Sequence, residues 1–439
     1  METRLPPPSP SPQKAITPFA RAMRNAGYLL GGSSASAVLG FLTTILAARQ
    51  LGLRDFGLLL LIHSFTGALA VGTRLQSWQP MLQFGTILYE TEERSRFQTL
   101  LRHCLLLDIG GACLAVMIGV PMSLVCSHWL GWGGYEEPAA FYVTCALFMN
   151  TGATIGVMRL ADRYKMAAMA DGSGALVRFV GAALGLLLHW HLPAFLVIWY
   201  LSIVMAFSVD GLLLWRLTKA IPSLKGFQLR GGPWFSREPG FWKLLLPASA
   251  DQILIGLAAR LDLLLVGGLL GSADAALYRV AAQIGEAFIQ PAQLLNPALY
   301  PEFVRLRERK DWQGLRSIVW RIFRWLVSFS VLTLVAVFFI GPEILALMLG
   351  RHMHDARTLL LWMTMASVVC LWNVPLEPLL VSLGRAKTLM HGRLLVLVLF
   401  LPLICALVRL FGMDGAAIAA FIRESGIFLT RLFLFLLVL

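Results

Sequence analysis

The sequence predicts an all-α integral membrane protein with about 12 transmembrane helices in two parallel six-helix bundles. The first observation behind this prediction is composition. The 439 residues are 58% hydrophobic and 14% charged, with a mean hydropathy of +0.72, whereas soluble proteins carry about 25% charged residues. The second is a series of apolar segments, each about 20 residues long, the length that crosses a bilayer as a helix. The third is an internal repeat that relates the two halves of the chain.

Twelve apolar segments follow one another along the chain. They cover 27–48, 57–77, 101–125, 139–158, 172–190 and 194–215 in the first half, and 244–269, 275–298, 317–341, 358–381, 391–410 and 415–437 in the second. The proline-rich start, METRLPPPSPSPQK, predicts a disordered cytoplasmic tail over residues 1–26. The basic, Pro/Gly-rich stretch 216–243 is the predicted cytoplasmic linker between an N-terminal bundle, 27–215, and a C-terminal bundle, 244–439.

The repeat is clearest at one helical hairpin in each half. LGLRDFGLL (51–59) aligns with LGSADAALY (270–278) without gaps, with identities at Leu51/Leu270, Gly52/Gly271, Asp55/Asp274 and Leu58/Leu277. Asn150 and Asn373 also correspond, and a basic turn follows each of them. Two repeats in the same orientation place substrate sites at the interface between the bundles, near the middle of the membrane.

The basic residues predict an orientation. A net charge of +13 could indicate a nucleic-acid partner, but the charges lie between apolar segments, so no nucleic-acid partner is predicted. If the N-terminus is inside, roughly 24 Lys and Arg fall in inside segments and roughly 5 in outside ones, a strong positive-inside bias. The even number of segments then places both termini in the cytoplasm.

Three stretches carry a resemblance to a known family. LAARQLGLRDFGLLLL followed by RLQSWQPMLQFG, then RLDLLLVGGLLGSADAALYRVAAQI, and ALYPEFVRL (298–306), resemble polysaccharide-biosynthesis flippases of the Wzx type. These belong to the multidrug/oligosaccharidyl-lipid/polysaccharide (MOP) superfamily. The resemblance covers nearly the whole chain. It departs at Arg54, where the family usually has a proline or an acidic residue.

The resemblance implies a fold and a cargo. It implies a V-shaped pair of bundles around a central cavity that works by alternating access in a bacterial cytoplasmic (inner) membrane. The implied cargo is a polyprenyl-diphosphate-linked glycan, which is flipped from the inner to the outer leaflet for surface polysaccharide (O-antigen or exopolysaccharide) assembly. Membrane lipid and other polysaccharide-assembly proteins are the expected partners. No cofactor is expected, and H⁺ or Na⁺ is the candidate coupling ion.

Four membrane-embedded charged residues are candidates for the cavity. A diphosphate needs cationic donors at depth, and the planar fork of arginine can bond two phosphate oxygens. Arg74 and Arg260 lie on the second and seventh segments, which line the cavity in the resembled family. Asp262 is two residues from Arg260, so it projects from another face and can pair with a neighbouring helix. Glu286 is the deepest acid and a candidate, with Asp251 and Glu377, for binding a coupling proton or cation.

The alternative for embedded charges is a structural ion pair. Arg178 and Asp210 lie at similar depth and are the favoured example. Arg431, like Arg321 and Arg324, is near a helix end and is expected to extend its charge to the interface. Further residues have structural interpretations: Trp78-Gln79-Pro80 as an interfacial anchor with a proline stop, and His189/His191 and His352/His354 as solvated loop histidines, with no metal site predicted.

These features are compatible with three functions. A lipid-linked oligosaccharide flippase is favoured because the embedded arginines suit an anionic cargo. The alternative is a cation-coupled small-molecule exporter of the same superfamily. A membrane-embedded polysaccharide polymerase or transferase is less favoured, because prenyl-diphosphate chemistry needs clustered carboxylates for Mg²⁺, and the only adjacent acids are Glu92-Glu93 and Glu136-Glu137 in loops. The chain is therefore predicted not to be an enzyme, and it has no P-loop for ATP.

Overall fold

Helices make up most of the part of the protein that the structure describes. The computed structural model describes residues 18–293, 296–349 and 356–438, and no strand occurs among them. Nine helices in these ranges are long and apolar enough to cross a membrane. The all-α prediction is confirmed.

The first half of the chain forms a bundle of seven α-helices. They are α1 (Pro18–Thr73), α2 (Trp78–Glu90), α3 (Arg94–Val125), α4 (Glu136–Val143), α5 (Gly152–Leu160), α6 (Tyr164–Leu187) and α7 (Leu192–Ala220). Helix α1 contains two of the predicted segments and is kinked at Gly52. The predicted segment 139–158 is interrupted, because a 3₁₀ turn, Thr144–Phe148, separates α4 from α5.

The described residues of the second half form the corresponding bundle. Its helices are α8 (Phe241–Leu270), α9 (Ser272–Gln293), α10 (Asn296–Glu308), α11 (Trp312–Leu349), α12 (Ala356–Trp372), α13 (Leu376–Ser382) and α14 (Ala386–Val438). Helix α14 again contains two predicted segments, with a kink at Gly412. The segment 358–381 is interrupted between α12 and α13, at the position that matches the interruption between α4 and α5.

The internal repeat is visible in the backbone. Four residues of the first bundle with positive φ each have a counterpart between 218 and 223 residues later: Gly52/Gly271, Glu92/Lys310, Asp162/Gly384 and His189/Gly412. The two aligned glycines share a conformation, with φ 71° and ψ 173° in one and φ 104° and ψ 172° in the other. Only glycine adopts this region without strain. The predicted alignment of the two hairpins is therefore confirmed.

The two bundles meet mainly along α1. Its segment after Gly52 packs lengthwise against α8 and α9. Glycines allow this close approach: a methyl group at Gly256 would overlap Val71, and one at Gly267 would overlap Leu61. Small residues at helix contacts are typical of packing within membranes.

Residues 221–240, which connect α7 to α8, pack on the first turns of α3, whereas residues 216–220 and 241–243 of the predicted linker belong to those two helices. Arg96 makes two hydrogen bonds to the Glu238 carboxylate, of 3.2 and 2.9 Å. The His103 ring stacks on Phe241 with centroids 4.5 Å apart. Phe241 and Leu245 are buried in the core of the first bundle, although they belong to the helix that opens the second. The first turns of α8 are thus held by the first bundle.

Candidate functional site

Arg260 lies where α8 crosses α1. Its guanidinium sits directly on Gly67, so that a Cβ built at Gly67 would lie 2.5 Å from Arg260 Cζ. The Ser64 hydroxyl donates a hydrogen bond of 3.5 Å to the Arg260 carbonyl from the same stretch of α1. Among residues 18–293, 296–349 and 356–438, no Asp or Glu forms an ion pair with Arg260. The structural ion pair considered for embedded arginines is therefore not found for Arg260 there.

Arg74 follows directly after the last residue of α1 and is half-buried. Its Nε is buried and has no hydrogen-bond partner in the described part of the chain. The charge of Asp108 acts on Arg74, but the hydrogen bonds of the Asp108 carboxylate go to other groups. Oδ1 accepts a 2.6 Å bond from Ser77 Oγ and Oδ2 accepts a 2.7 Å bond from the Ala153 backbone N–H. Asp108 thus caps α5, and no ion pair joins Arg74 to a carboxylate among the residues that the structure describes.

Arg279 on α9 is the third arginine in this region. It makes a two-pronged ion pair with Glu286, two turns further along α9, with N–O distances of 2.8 and 3.2 Å. Glu286, the candidate for binding a coupling proton or cation, is therefore already paired with a guanidinium. Both side chains are more than one-third exposed.

Arg74 and Arg279 each lie within electrostatic range of Arg260, near the contact between the bundles. We call Arg74, Arg260 and Arg279 the cationic centre. His63, on the same segment of α1, lies within electrostatic range of Arg260 and Arg279, and its Nδ1 is 2.8 Å from the Tyr142 hydroxyl. Of the three guanidiniums only that of Arg279 forms an ion pair with a described carboxylate. Unpaired guanidiniums in a low-dielectric setting favour an anionic ligand.

Asp262 points away from the cationic centre into the second bundle. It is buried and forms an ion pair with Arg423 of α14, and the Tyr278 hydroxyl donates a 3.4 Å hydrogen bond to it. Arg423 also contacts Glu424 at 3.0 Å. The prediction that Asp262 projects from another face than Arg260 and pairs with a neighbouring helix is confirmed.

Two predictions about the other arginines are wrong. Arg178 does not pair with Asp210. Its guanidinium donates to Ser202 Oγ at 3.2 Å and lies 5.5 Å from the Trp199 ring centroid. Similar depth along two helices does not ensure that two side chains face each other, because each helix also has a rotation.

Arg431 does not extend to the interface. It is buried at 6% exposure and bonds Glu377 at 2.8 Å. Arg393 forms ion pairs with two acids. It lies 3.2 Å from the other carboxylate oxygen of Glu377 and 2.6 Å from a carboxylate oxygen of Asp251. The two further cation candidates, Asp251 and Glu377, therefore belong to one ion-pair network that joins α8, α13 and α14.

The Trp-Gln-Pro stretch does not end a helix. Helix α1 stops at Thr73, and Trp78 begins α2, with Pro80 in its first turn. A proline is tolerated there because the first amides of a helix have no intrahelical partner. Of the histidines, His352 and His354 lie outside the described residues.

Sequence patterns did not identify Gly67 or His63. Gly67 matters because it leaves room for the Arg260 guanidinium, and a glycine on a helix gives no sign of what packs on it from a distant helix. Arg279 was recognised as membrane-embedded, but its position beside Arg260 depends on how α8 and α9 pack.

Comparison with known proteins identifies the fold. Residues 247–406 match the family model described as MatE. The inner membrane protein YghQ of Escherichia coli (strain K12) is 24% identical over 347 residues, which are 78% of this chain and 96% of that protein.

Two solved structures extend the similarity to most of the chain. An inward-facing multidrug resistance MATE family transporter of the MOP superfamily gives a TM-score of 0.74 at 14% identity, covering 91% of this chain and 93% of that one. The lipid II flippase MurJ, in an inward closed conformation, gives a TM-score of 0.67 at 12% identity, covering 93% and 87%. The chain is therefore a multi-pass membrane protein with the fold of the MATE transporters of the MOP superfamily, and it matches the MatE family over residues 247–406.

Proposed function

We propose that this protein flips a polyprenyl-diphosphate-linked oligosaccharide from the inner to the outer leaflet by alternating access, for surface polysaccharide assembly. The proximity of Arg74 and Arg279 to Arg260, near the contact between the bundles, carries this proposal. A diphosphate brings negative charge, and guanidinium groups bind phosphate oxygens through charge-assisted, paired hydrogen bonds. The positive-inside bias supports an orientation with both termini in the cytoplasm, and a bacterial cytoplasmic (inner) membrane is the proposed location.

Arg260 is the proposed main contact for the diphosphate. It lies where α8 crosses α1 and is only half-buried. Its guanidinium contacts Gly67 rather than a carboxylate. Arg74 is the proposed second contact, because its Nε is free of protein partners in the described residues. Arg279 shares its charge with Glu286, so it contributes to the field more than to direct binding.

The similarity to MurJ supports a lipid-linked cargo, since that protein is a lipid II flippase of the same fold. The similarity to a multidrug resistance MATE transporter supports the second candidate, a cation-coupled exporter of small molecules. Coupling to H⁺ or Na⁺ is part of both proposals. Imposing a pH gradient or a Na⁺ gradient on the reconstituted protein would identify the ion.

The test uses the full-length protein in liposomes that contain a fluorescent polyprenyl-diphosphate-linked N-acetylglucosamine. Flipping is measured as the fraction of label that a membrane-impermeant quencher reaches. Wild type is expected to flip this lipid, and Arg260→Ala to reduce the rate about 10–100-fold, as expected for losing a charged hydrogen-bond pair. Arg260→Lys keeps the charge but loses the fork, and is expected to be intermediate.

Arg324→Ala is the matched control, because Arg324 is an exposed arginine on α11 outside the cationic centre. It should flip at the wild-type rate. If wild type moves ethidium but not the lipid-linked sugar, the exporter is correct and the flippase proposal fails. If Arg260→Ala flips normally, the assignment of the site to Arg260 fails.

A further inference from the structure

A cavity lies between the bundles, on their side surface. It has a volume of about 830 Å³ and is bounded by α1 from Phe65 to Thr73, by Ile118 and Met122 of α3, and by α8 from Leu257 to Leu269. We call it the lateral groove. Ile118, Met122 and Leu269 on its rim are exposed. In a membrane, exposed apolar side chains of this kind face lipid, so the groove opens to the bilayer.

The lateral groove is separate from the cationic centre. With 3.6 residues per turn, Gly67 lies about 160° around α1 from Phe65 and about 140° from Gly72. Phe65 and Gly72 line the groove, whereas Gly67 carries the Arg260 guanidinium. On α1 the two sites thus lie on different faces, and none of Arg74, Arg260 and Arg279 lines the groove.

The groove has one polar end and one apolar end. His128, Trp129 and Arg409 lie at the end near the Gly271 turn, while Leu257 and Gly72 mark the other. From Leu257 to Leu269 the helix rises about 18 Å, slightly more than half of a hydrocarbon core about 30 Å thick. The groove therefore spans one leaflet, with its charge at the membrane surface.

Arg409 and Trp129 have the chemistry of a headgroup site. Arg409 is exposed and has no hydrogen bond or ion pair with any described residue. Trp129 is 85% exposed. Arginine binds phosphate through two parallel bonds, and tryptophan prefers the interface between headgroups and hydrocarbon.

We propose that the lateral groove binds one acyl chain of an anionic glycerophospholipid from this leaflet, with the lipid phosphate on Arg409. The groove walls come from both bundles: α1 and α3 from the first, α8 and Arg409 from the second. A bound chain therefore bridges the two bundles and stabilises their contact in this conformation. The inference is independent of which cargo the protein moves.

The test is native mass spectrometry of the full-length protein released from detergent, with dipalmitoyl phosphatidylglycerol or dipalmitoyl phosphatidylcholine as probes. Wild type should retain phosphatidylglycerol in preference to phosphatidylcholine. Arg409→Ala should weaken phosphatidylglycerol binding about 10–100-fold, the range for losing a charged hydrogen bond. Arg324→Ala, which removes an exposed arginine elsewhere, should bind like wild type. Equal binding of both lipids by wild type, or unchanged binding by Arg409→Ala, would overturn the proposal.

A second measurement locates the chain without any variant. Phosphatidylglycerol with a photoactivatable diazirine near the end of one chain should label the peptide that contains Leu257 or the one that contains Gly72. Labelling confined to other helices would overturn the proposal. Displacement of the label by a polyprenyl diphosphate but not by phosphatidylglycerol would also overturn it, because the groove would then be a cargo site.

Discussion

Gly67→Ala tests whether the position of the Arg260 guanidinium matters. The added methyl group would lie 2.5 Å from Arg260 Cζ, whereas ordinary contacts of a Cβ are 3.4–4 Å. The guanidinium therefore has to move by about 1 Å or more, a contact distance being about 3.5–4.0 Å. The end of an arginine side chain is flexible, so the substitution is expected to move the charge without disrupting the helices.

The expected change in stability is small, because two effects nearly cancel. Replacing glycine by alanine inside a helix raises the free energy of unfolding by about 1 kcal/mol. Holding Arg260 away from its preferred rotamer costs about 0.5–1.5 kcal/mol. The free energy of unfolding should thus change by less than about 1 kcal/mol. The displaced fork should lose at least one charged hydrogen bond to phosphate, worth about 1.5–3 kcal/mol, so binding should weaken about 10–100-fold.

The assay compares thermal unfolding in detergent with binding of a polyprenyl diphosphate, measured by calorimetry. Gly40→Ala is the matched control on the same helix, since a Cβ at Gly40 meets nothing within 4 Å. Gly67→Ala in an Arg260→Ala background should cause no further loss. Wild-type affinity in Gly67→Ala, or an equal further loss in that background, would refute the reasoning.

Two other predictions concern positions that hold the fold. Asp108→Ala should lower the free energy of unfolding by about 3–6 kcal/mol, because the Asp108 carboxylate accepts two hydrogen bonds worth about 1.5–3 kcal/mol each. Ser77→Ala should cost about half as much by thermal unfolding, and similar values for the two would show that the bond to the α5 backbone contributes little. Gly271→Ala should cost about 1–3 kcal/mol because of its backbone conformation. Gly52→Ala should match it in the same measurement, and a normal melting temperature for either would contradict the backbone argument.

The parts of the fold that sequence predicted are those with a local signature. Segment lengths gave the helices, and the match between Gly52 and Gly271 gave the hairpins, because a glycine-only backbone conformation constrains the sequence directly. Helix ends were less accurate. Helix α3 begins at Arg94 rather than at residue 101, since polar residues continue a helix beyond the apolar stretch that marks it.

The partners of charged side chains were mostly not predictable. The sequence showed that Asp262 faces away from Arg260. Residues that are two positions apart on a helix point in directions that differ by about 160°. It could not show that Arg178 meets Ser202 or that Arg431 meets Glu377, since those contacts depend on helix rotation and packing. Arg74 and Arg260 were selected for their chemistry, and their proximity emerges only once α1 and α8 are packed together.

The beginning of α8 bears on how the two bundles can move. Phe241 and Leu245 are anchored in the first bundle, while Asp262 is tied to α14 of the second. One continuous helix is therefore held at two points that belong to different bundles. Pro247 lies between these two points. A proline removes one backbone hydrogen bond and lowers the resistance of a helix to bending. Any change in the angle between the bundles then bends α8, and the bend is expected to be concentrated at Pro247.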